Sequence, residues 1–309
     1  HVQNFITIGG DGVTIQDVKL KGNPNAYYGG ECNKVIELIG GKDLTPNNVE
    51  CLALTLENGT KTSGSIYISS ADAGNTTLEN VTMSSWVNAR SITTGTLTVK
   101  NLVQDFTDNA YAGFSTPEWG YAWKPGISGE NVAVDGLTIK VDNNSNFVKQ
   151  ISDALRPGTT IELTENITVD EMLYIKTENV KIKGNGHTIT ASNDYMMGLH
   201  GQTNLFKIEA DNVTIENVVL KTTDKTKHVL DIYGSENVVL KDVTLDHTVA
   251  TGGAPLINNA SAITVEGELK LITGAASWYG VNVDDKNGEA TITFAEDSAL
   301  IYDNQSGNE

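Results

Sequence analysis

The sequence predicts an all-β solenoid, a stack of short parallel strands joined at corners, and three observations predict it. The first is the stretch Asn212-Val213-Thr214-Ile215-Glu216-Asn217-Val218-Val219-Leu220-Lys221. Its apolar residues at 213, 215, 218 and 220 alternate as a strand does, but the alternation slips by one at Asn217. A straight strand would then send the second pair to the opposite face. The chain must bend at Asn217, and Asn tolerates the left-handed backbone of such a bend. The second observation is recurrence. Val238–Leu245 repeats the unit with Asp242 at the corner, Val13–Leu20 with Asp17, and Val132–Ile139 with Gly136. Partial copies start at Asn48, Asn80, Asn101 and Asn179. Copies lie about twenty to thirty residues apart, the range of solenoid repeats. The third is composition: aromatics are 6% of the chain, while small corner residues and Val, Ile and Leu are plentiful. One copy cannot bury its own apolar face, but stacked copies bury a continuous core. A β-sandwich of short strands is the alternative, and it gives no reason to repeat one corner residue.

Taken in order, residues 1–21 are already mid-coil. Val35–Leu38, Cys51–Leu56, Ser65–Ile68, Val81–Met83 and Thr96–Val99 continue the stack. Cys32 and Cys51 fall close to one coil apart and would be a disulfide or two buried thiols. From Asp105 to Gly126 the periodicity stops in an aromatic excursion, and the Val132 coil follows. Apolar residues at 147, 148, 151, 154 and 155 then have helix spacing, with Asn146 placed to cap the start and Pro157-Gly158 the stop. A short helix over 146–155 covers the open apolar end of a stack. A second domain, 146–309, is therefore expected after a first, 1–145. Phe5–Lys21 aligns without a gap on Leu205–Lys221, so the first reads as a copy lacking its opening cap and first coils. One continuous solenoid with the helix as an insertion is the alternative.

Two stretches carry a family resemblance. Ile151-Ser152-Asp153-Ala154-Leu155-Arg156-Pro157-Gly158-Thr159-Thr160-Ile161-Glu162-Leu163 and Val180-Lys181-Ile182-Lys183-Gly184-Asn185-Gly186-His187-Thr188-Ile189 resemble the opening of right-handed parallel β-helix proteins of the pectate-lyase-like superfamily. The tandem arrangement is similar to its non-catalytic bacterial adhesin and surface-protein branch, as is Trp278-Tyr279-Gly280-Val281-Asn282-Val283. That resemblance implies two right-handed parallel β-helix copies on a secreted or cell-surface bacterial protein. A fold shared so widely fixes no activity.

Chemistry is sparse. The lyase members of that superfamily use an Arg beside clustered acids; Arg90 has no such cluster near it in sequence, and Arg156 ends the expected helix. His187 stands in Gly-His-Thr rather than the Gly-His-Gly of the hydrolases. Asp284-Asp285-Lys286-Asn287-Gly288 fails the spacing of a calcium loop and lacks its closing Glu. No metal or cofactor is expected. A charge of −18 repels nucleic acid, and no apolar run reaches membrane-spanning length. The excursion carries the functional signal. Trp86, Tyr111, Trp119, Tyr121 and Trp123 suit stacking on sugar faces or anchoring a protein partner, or sealing the loop as a local core. Asp105, Asp108 and Glu118 flank it as candidate acid-base carboxylates. The expectation is a non-catalytic, extracellular or cell-surface adhesion module for glycan or a surface protein. A polysaccharide lyase or glycoside hydrolase with an acidic site near residues 105–124 is the alternative, and a structural spacer the third.

Overall fold

The computed structural model describes residues 4–21, 34–52, 65–83, 87–105, 107, 126–143, 155–192 and 204–306. These are strands and turns, with no helix among the described residues. The helix expected over 146–155 lies outside them, apart from Leu155, which is irregular. The chain divides into two compact units, His1–Ser145 with Gly158–Thr160, and Asn146–Pro157 with Ile161–Glu309.

In the first unit, β1 (Asn4–Ile8), β3 (Lys34–Leu38), β5 (Ser65–Ile68), β7 (Val87–Asn88) and β9 (Ile127–Ser128) form one sheet in that order. Between them the chain lays β2 (Thr14–Lys21), β4 (Thr45–Leu52), β6 (Asp72–Met83), β8 (Thr94–Asp105) and β10 (Val132–Val141) into a second sheet, again in that order. Each return to a sheet adds one parallel strand beside the last, Thr14 opposite Thr45 and Val49 opposite Val81. Parallel neighbours need a crossover, and here the crossover is the other sheet. That is the winding a parallel β-solenoid requires.

The second unit winds the same way. One sheet runs β13 (Leu173–Ile175), β16 (Asn204–Ile208), β18 (His228–Tyr233), β20 (Leu256–Asn259), β22 (Val281–Asp284). The other runs β11 (Thr159–Leu163), β14 (Lys181–Lys183), β17 (Thr214–Lys221), β19 (Val238–His247), β21 (Ala262–Thr273), β23 (Thr291–Phe294). Here β15 (Thr188–Ala191) lies between β12 (Ile167–Val169) and the second half of β17, and β24 (Ala299–Asn304) pairs with β21.

The bend inside the repeat is real, and it lies where the slip places it. Asn217 has φ 49°, Asp242 52°, Asp17 55° and Gly136 89°, all left-handed. On either side of Asn217 the inward residues are Ile215 on one hand and Val218 and Leu220 on the other, all buried. Side chains at the bends, and at the starts of the repeats, bond from coil to coil. Asn48 Nδ2 donates to Asp17 Oδ1 at 2.7 Å, Asn101 Nδ2 to Asn80 Oδ1 at 3.2 Å, and Asn237 Nδ2 to Asn212 Oδ1 at 3.1 Å. One placement differs. Asn48, Asn80 and Asn101 are mid-strand corners with φ 51° to 52°, not the starts of copies. The strand halves before them hold Pro46, Gly74 and Gly95, residues that weaken a strand pattern.

The core is a set of columns. Ile215, Leu240 and Val265 stack in register, as do Leu220, Leu245 and Leu271, and all are buried. Identical positions one coil apart thus pack on each other, which is why Val, Ile and Leu suffice without large aromatics. Cys51 is a free thiol in the first unit's core, and burial pushes it up to about 12; Cys32 lies outside the described residues.

Candidate functional site

Of the residues singled out from sequence, Trp86, Tyr111, Trp119, Tyr121, Trp123, Asp108 and Glu118 lie outside the described residues. The base of their excursion is described and firmly tied. The buried Gln104 side chain donates to Gly126 O at 2.8 Å and accepts from Gly126 N at 2.7 Å, clasping the two ends. Asp105 Oδ1 accepts from Thr107 N at 3.1 Å and from its hydroxyl at 2.5 Å, a turn-forming role. Arg90 is exposed in a turn, and His187 lies in the turn between β14 and β15. No group of three or more His, Cys, Asp or Glu among the described residues could hold a metal ion.

A different place gathers polar chemistry. On the sheet of β13, β16 and β18, Lys207 pairs in register with Tyr174 on one side and Asp231 on the other. These positions alternate with the inward Phe206 and Leu230, so they point away from the core. Lys207 and Asp231 are nevertheless buried, as is every residue of β16. Lys207 Nζ donates to Glu209 Oε1 at 2.5 Å, and Tyr174 donates its hydroxyl to Glu209 Oε2. The same ammonium lies 5.4 Å from the Tyr174 ring and 5.0 Å from the Tyr233 ring, within cation–π range. Asp231 Oδ2 accepts from Asn204 Nδ2 at 2.9 Å, while its Oδ1 is buried without a hydrogen-bond partner.

These surroundings split the two carboxyls. Burial raises Asp231, Glu209 adds to the rise, and Lys207 and Asn204 only partly oppose it. Burial would also raise Glu209, but hydrogen bonds from Lys207 and Tyr174, with the charges of Lys207 and Lys176, outweigh it and lower the group. The Tyr174 hydroxyl is pushed well up by burial and by Glu209.

At the far end of the same sheet, the segment before β22 presents Trp278 and Tyr279, 61% and 57% exposed. The segment is pinned rather than loose. Trp278 N donates to Gly253 O at 2.7 Å, and the indole lies over Gly252, where a Cβ would come within 2.9 Å of the ring. Ser277 Oγ accepts from Gly274 N at 3.0 Å and meets Nδ1 of the fully buried His247 at 2.7 Å. His247 Nε2 meets Lys227 O at 2.6 Å, and a carbonyl can only accept. The proton is therefore on Nε2, and Nδ1 accepts from the Ser277 hydroxyl. Burial lowers His247, favouring this neutral form. From sequence, Trp278-Tyr279-Gly280-Val281-Asn282-Val283 counts only as part of the family resemblance, not as a binding site. Exposed paired aromatics flanked by Gly274 and Gly280 were the signal that could have found it.

Neither a family model, nor a curated protein, nor a solved structure matches the chain.

Proposed function

We propose that the chain is a non-catalytic adhesion module of a secreted or cell-surface bacterial protein, and that it binds glycan. The observation that carries this reading is the Trp278–Tyr279 ridge, two exposed aromatics on a segment held by backbone and buried side-chain bonds. Rigid rings lose little freedom when a sugar face stacks on them. Tyr233, exposed on the same sheet, carries a hydroxyl of the type that bonds sugar hydroxyls. In this reading the two units are tandem right-handed parallel β-helices of the pectate-lyase-like kind, with a capping helix over 146–155 opening the second. Phe5–Lys21 and Leu205–Lys221 support the tandem reading. Asp11 Oδ1 accepts from Lys42 N at 3.1 Å, and Asp211 Oδ1 accepts from Glu236 N at 2.8 Å, the same cross-coil bond at aligned positions. The aromatic excursion, with Trp86, Tyr111, Trp119, Tyr121 and Trp123, is a second binding element, for glycan or a surface protein.

One observation favours the hydrolase or lyase reading, at a different address from residues 105–124. Glu209 and Asp231 are neighbouring carboxyls with opposed shifts, the pattern of an acid and a base. A glycan array joined to reducing-sugar and unsaturated-product assays separates the readings. The adhesion reading expects retained glycans, no turnover, and at least a tenfold loss of binding in Trp278→Ala/Tyr279→Ala. Turnover lost in Asp231→Asn would replace it with the enzyme reading. Silence in all assays, with Trp119→Ala/Trp123→Ala also without effect, would leave a spacer.

A further inference from the structure

One peptide bond in the second unit joins two side-chain systems. It links Gly253 to Ala254, in the segment leading into β20. Its N–H donates to His228 Nδ1 at 3.1 Å, and its C=O accepts from Trp278 N at 2.7 Å. A peptide unit is planar, so the two groups point opposite ways and turn together. The pivot is a glycine. Gly253 holds φ 93°, and a Cβ there would stand 2.6 Å from His228 Nδ1 and 2.1 Å from Lys227 O. The backbone therefore lies flat against the imidazole, in a conformation that glycine adopts without strain. Beyond this peptide the chain is fixed to β18, where Val229 N donates to Ala254 O at 3.4 Å and Leu230 N to Pro255 O at 3.0 Å. Before it, Gly252 lies beneath the Trp278 indole.

Only a neutral imidazole can accept at Nδ1. A proton added there makes the nitrogen a donor facing the N–H of the buried Ala254, two donors with no acceptor between them. Turning the peptide over would relieve the conflict by presenting the Gly253 carbonyl to the charged ring. The same turn takes that carbonyl away from Trp278 N. His247 responds differently. Its Nε2 is engaged by Lys227 O, and a proton added at Nδ1 requires only that the Ser277 hydroxyl rotate to accept. The Ser277 oxygen has a lone pair for this beside the one that receives Gly274 N. The charged and titratable groups facing the pair are His247 and Lys227 at His228, and Asp246 at His247. Asn204, the register partner of His228 on β16, carries no charge. Burial, then His247 and Lys227, hold His228 down to about 4, so the peptide is locked at neutral pH.

We propose that His228 is an acid-operated latch on the aromatic ridge: its protonation turns the Gly253–Ala254 peptide over and releases Trp278 from its backbone anchor. On the adhesion reading, on which this last consequence rests, bound glycan is let go in acid surroundings.

Hydrogen exchange resolved to single amides, on the full chain and corrected for the intrinsic effect of pH, tests the latch without any ligand. Between pH 7 and pH 4 the amides of Ala254 and Trp278 are expected to lose protection at least tenfold. The midpoint should coincide with the titration of the His228 ring followed by NMR. Leu230 N and Val239 N, which donate to Pro255 O and Val213 O, should keep their protection. His228→Asn sets an oxygen where Nδ1 stands and does not titrate, so both amides should stay protected at pH 4; circular dichroism checks that it folds. Unchanged protection of Trp278 on acidification would overturn the proposal. So would a midpoint apart from the His228 titration, a loss shared equally by Leu230 and Val239, or the same loss in His228→Asn. Retention on immobilised glycans is read separately at both pH values. Elution in acid by the unsubstituted chain, and not by His228→Asn, carries the latch through to the ligand, whereas equal retention would overturn the release. No retention at either pH would sink the adhesion reading alone, with the exchange data still deciding the latch.

Discussion

Asn101 holds a left-handed φ of 51° and also donates from Nδ2 to Asn80 Oδ1 at 3.2 Å. Two substitutions separate these roles. Asn101→Gly keeps the backbone relaxed and loses only the bond, so about 0.5–1 kcal/mol of stability should go. Asn101→Ala adds the left-handed cost of about 1–2 kcal/mol, and urea denaturation should rank it clearly below the Gly variant. A second prediction belongs to His228. Burial, then the neighbouring His247 and Lys227, lower it from 6.5 to about 4. Its Nδ1 accepts from Ala254 N at 3.1 Å, which only the neutral ring can do. Folding depresses the pKa, so between these values the unfolded chain binds more protons. The neutral His228 therefore weighs fully on the folded side above pH 6.5, and that stability is lost as pH falls toward 4. Thermal melts at pH 7, 5 and 4 should fall progressively, and His228→Gln should flatten the slope without removing the share of His247.

Where two coils touch closely, tolerance is small. A Cβ on Gly184 would come within 2.4 Å of both Asn217 O and Val218 Cβ, one of them backbone that cannot swing away. Gly184→Ala should cost about 1–3 kcal/mol by forcing β14 off β17, and hydrogen exchange should show faster opening at Gly186 N, which donates to Asn217 O. At this scale the sequence could be read unevenly, for physical reasons. Corners such as Asn217 and Asp242 were legible because a slip in alternation has one geometric remedy. The first halves of β4 and β6 were not, because Pro46 and Gly74 dilute the alternation and parallel pairing alone sustains the strand. The polar group on β16 and β18 was invisible for another reason. Tyr174, Lys207, Glu209 and Asp231 come from coils whose spacing in sequence encodes no contact, so only the register brings them together.

Over the whole molecule, the charge of −18 opposes both compaction and self-association. Cross-coil pairs such as Lys19–Glu50 at 2.8 Å and Lys181–Glu216 at 2.9 Å are partly exposed and offset little of it. Raising salt from about 10 mM to 150 mM shortens the screening length from about 30 Å to 8 Å. Melting temperature should increase over that range, and a fall would place attraction, not repulsion, in control. The ladder also has a property that concerns what the chain can carry. Corner partners on successive coils are 21, 25 or 31 residues apart, yet they bond at comparable distances. The ladder is thus indifferent to the length of chain between its rungs, and doubling a flexible connection costs only about 0.6 kcal/mol. Deleting a single residue between Asn217 and Lys221 would instead invert every following side chain. A passenger peptide grafted between coils should therefore be accepted almost regardless of its length, which makes the scaffold a natural host for diversification by insertion.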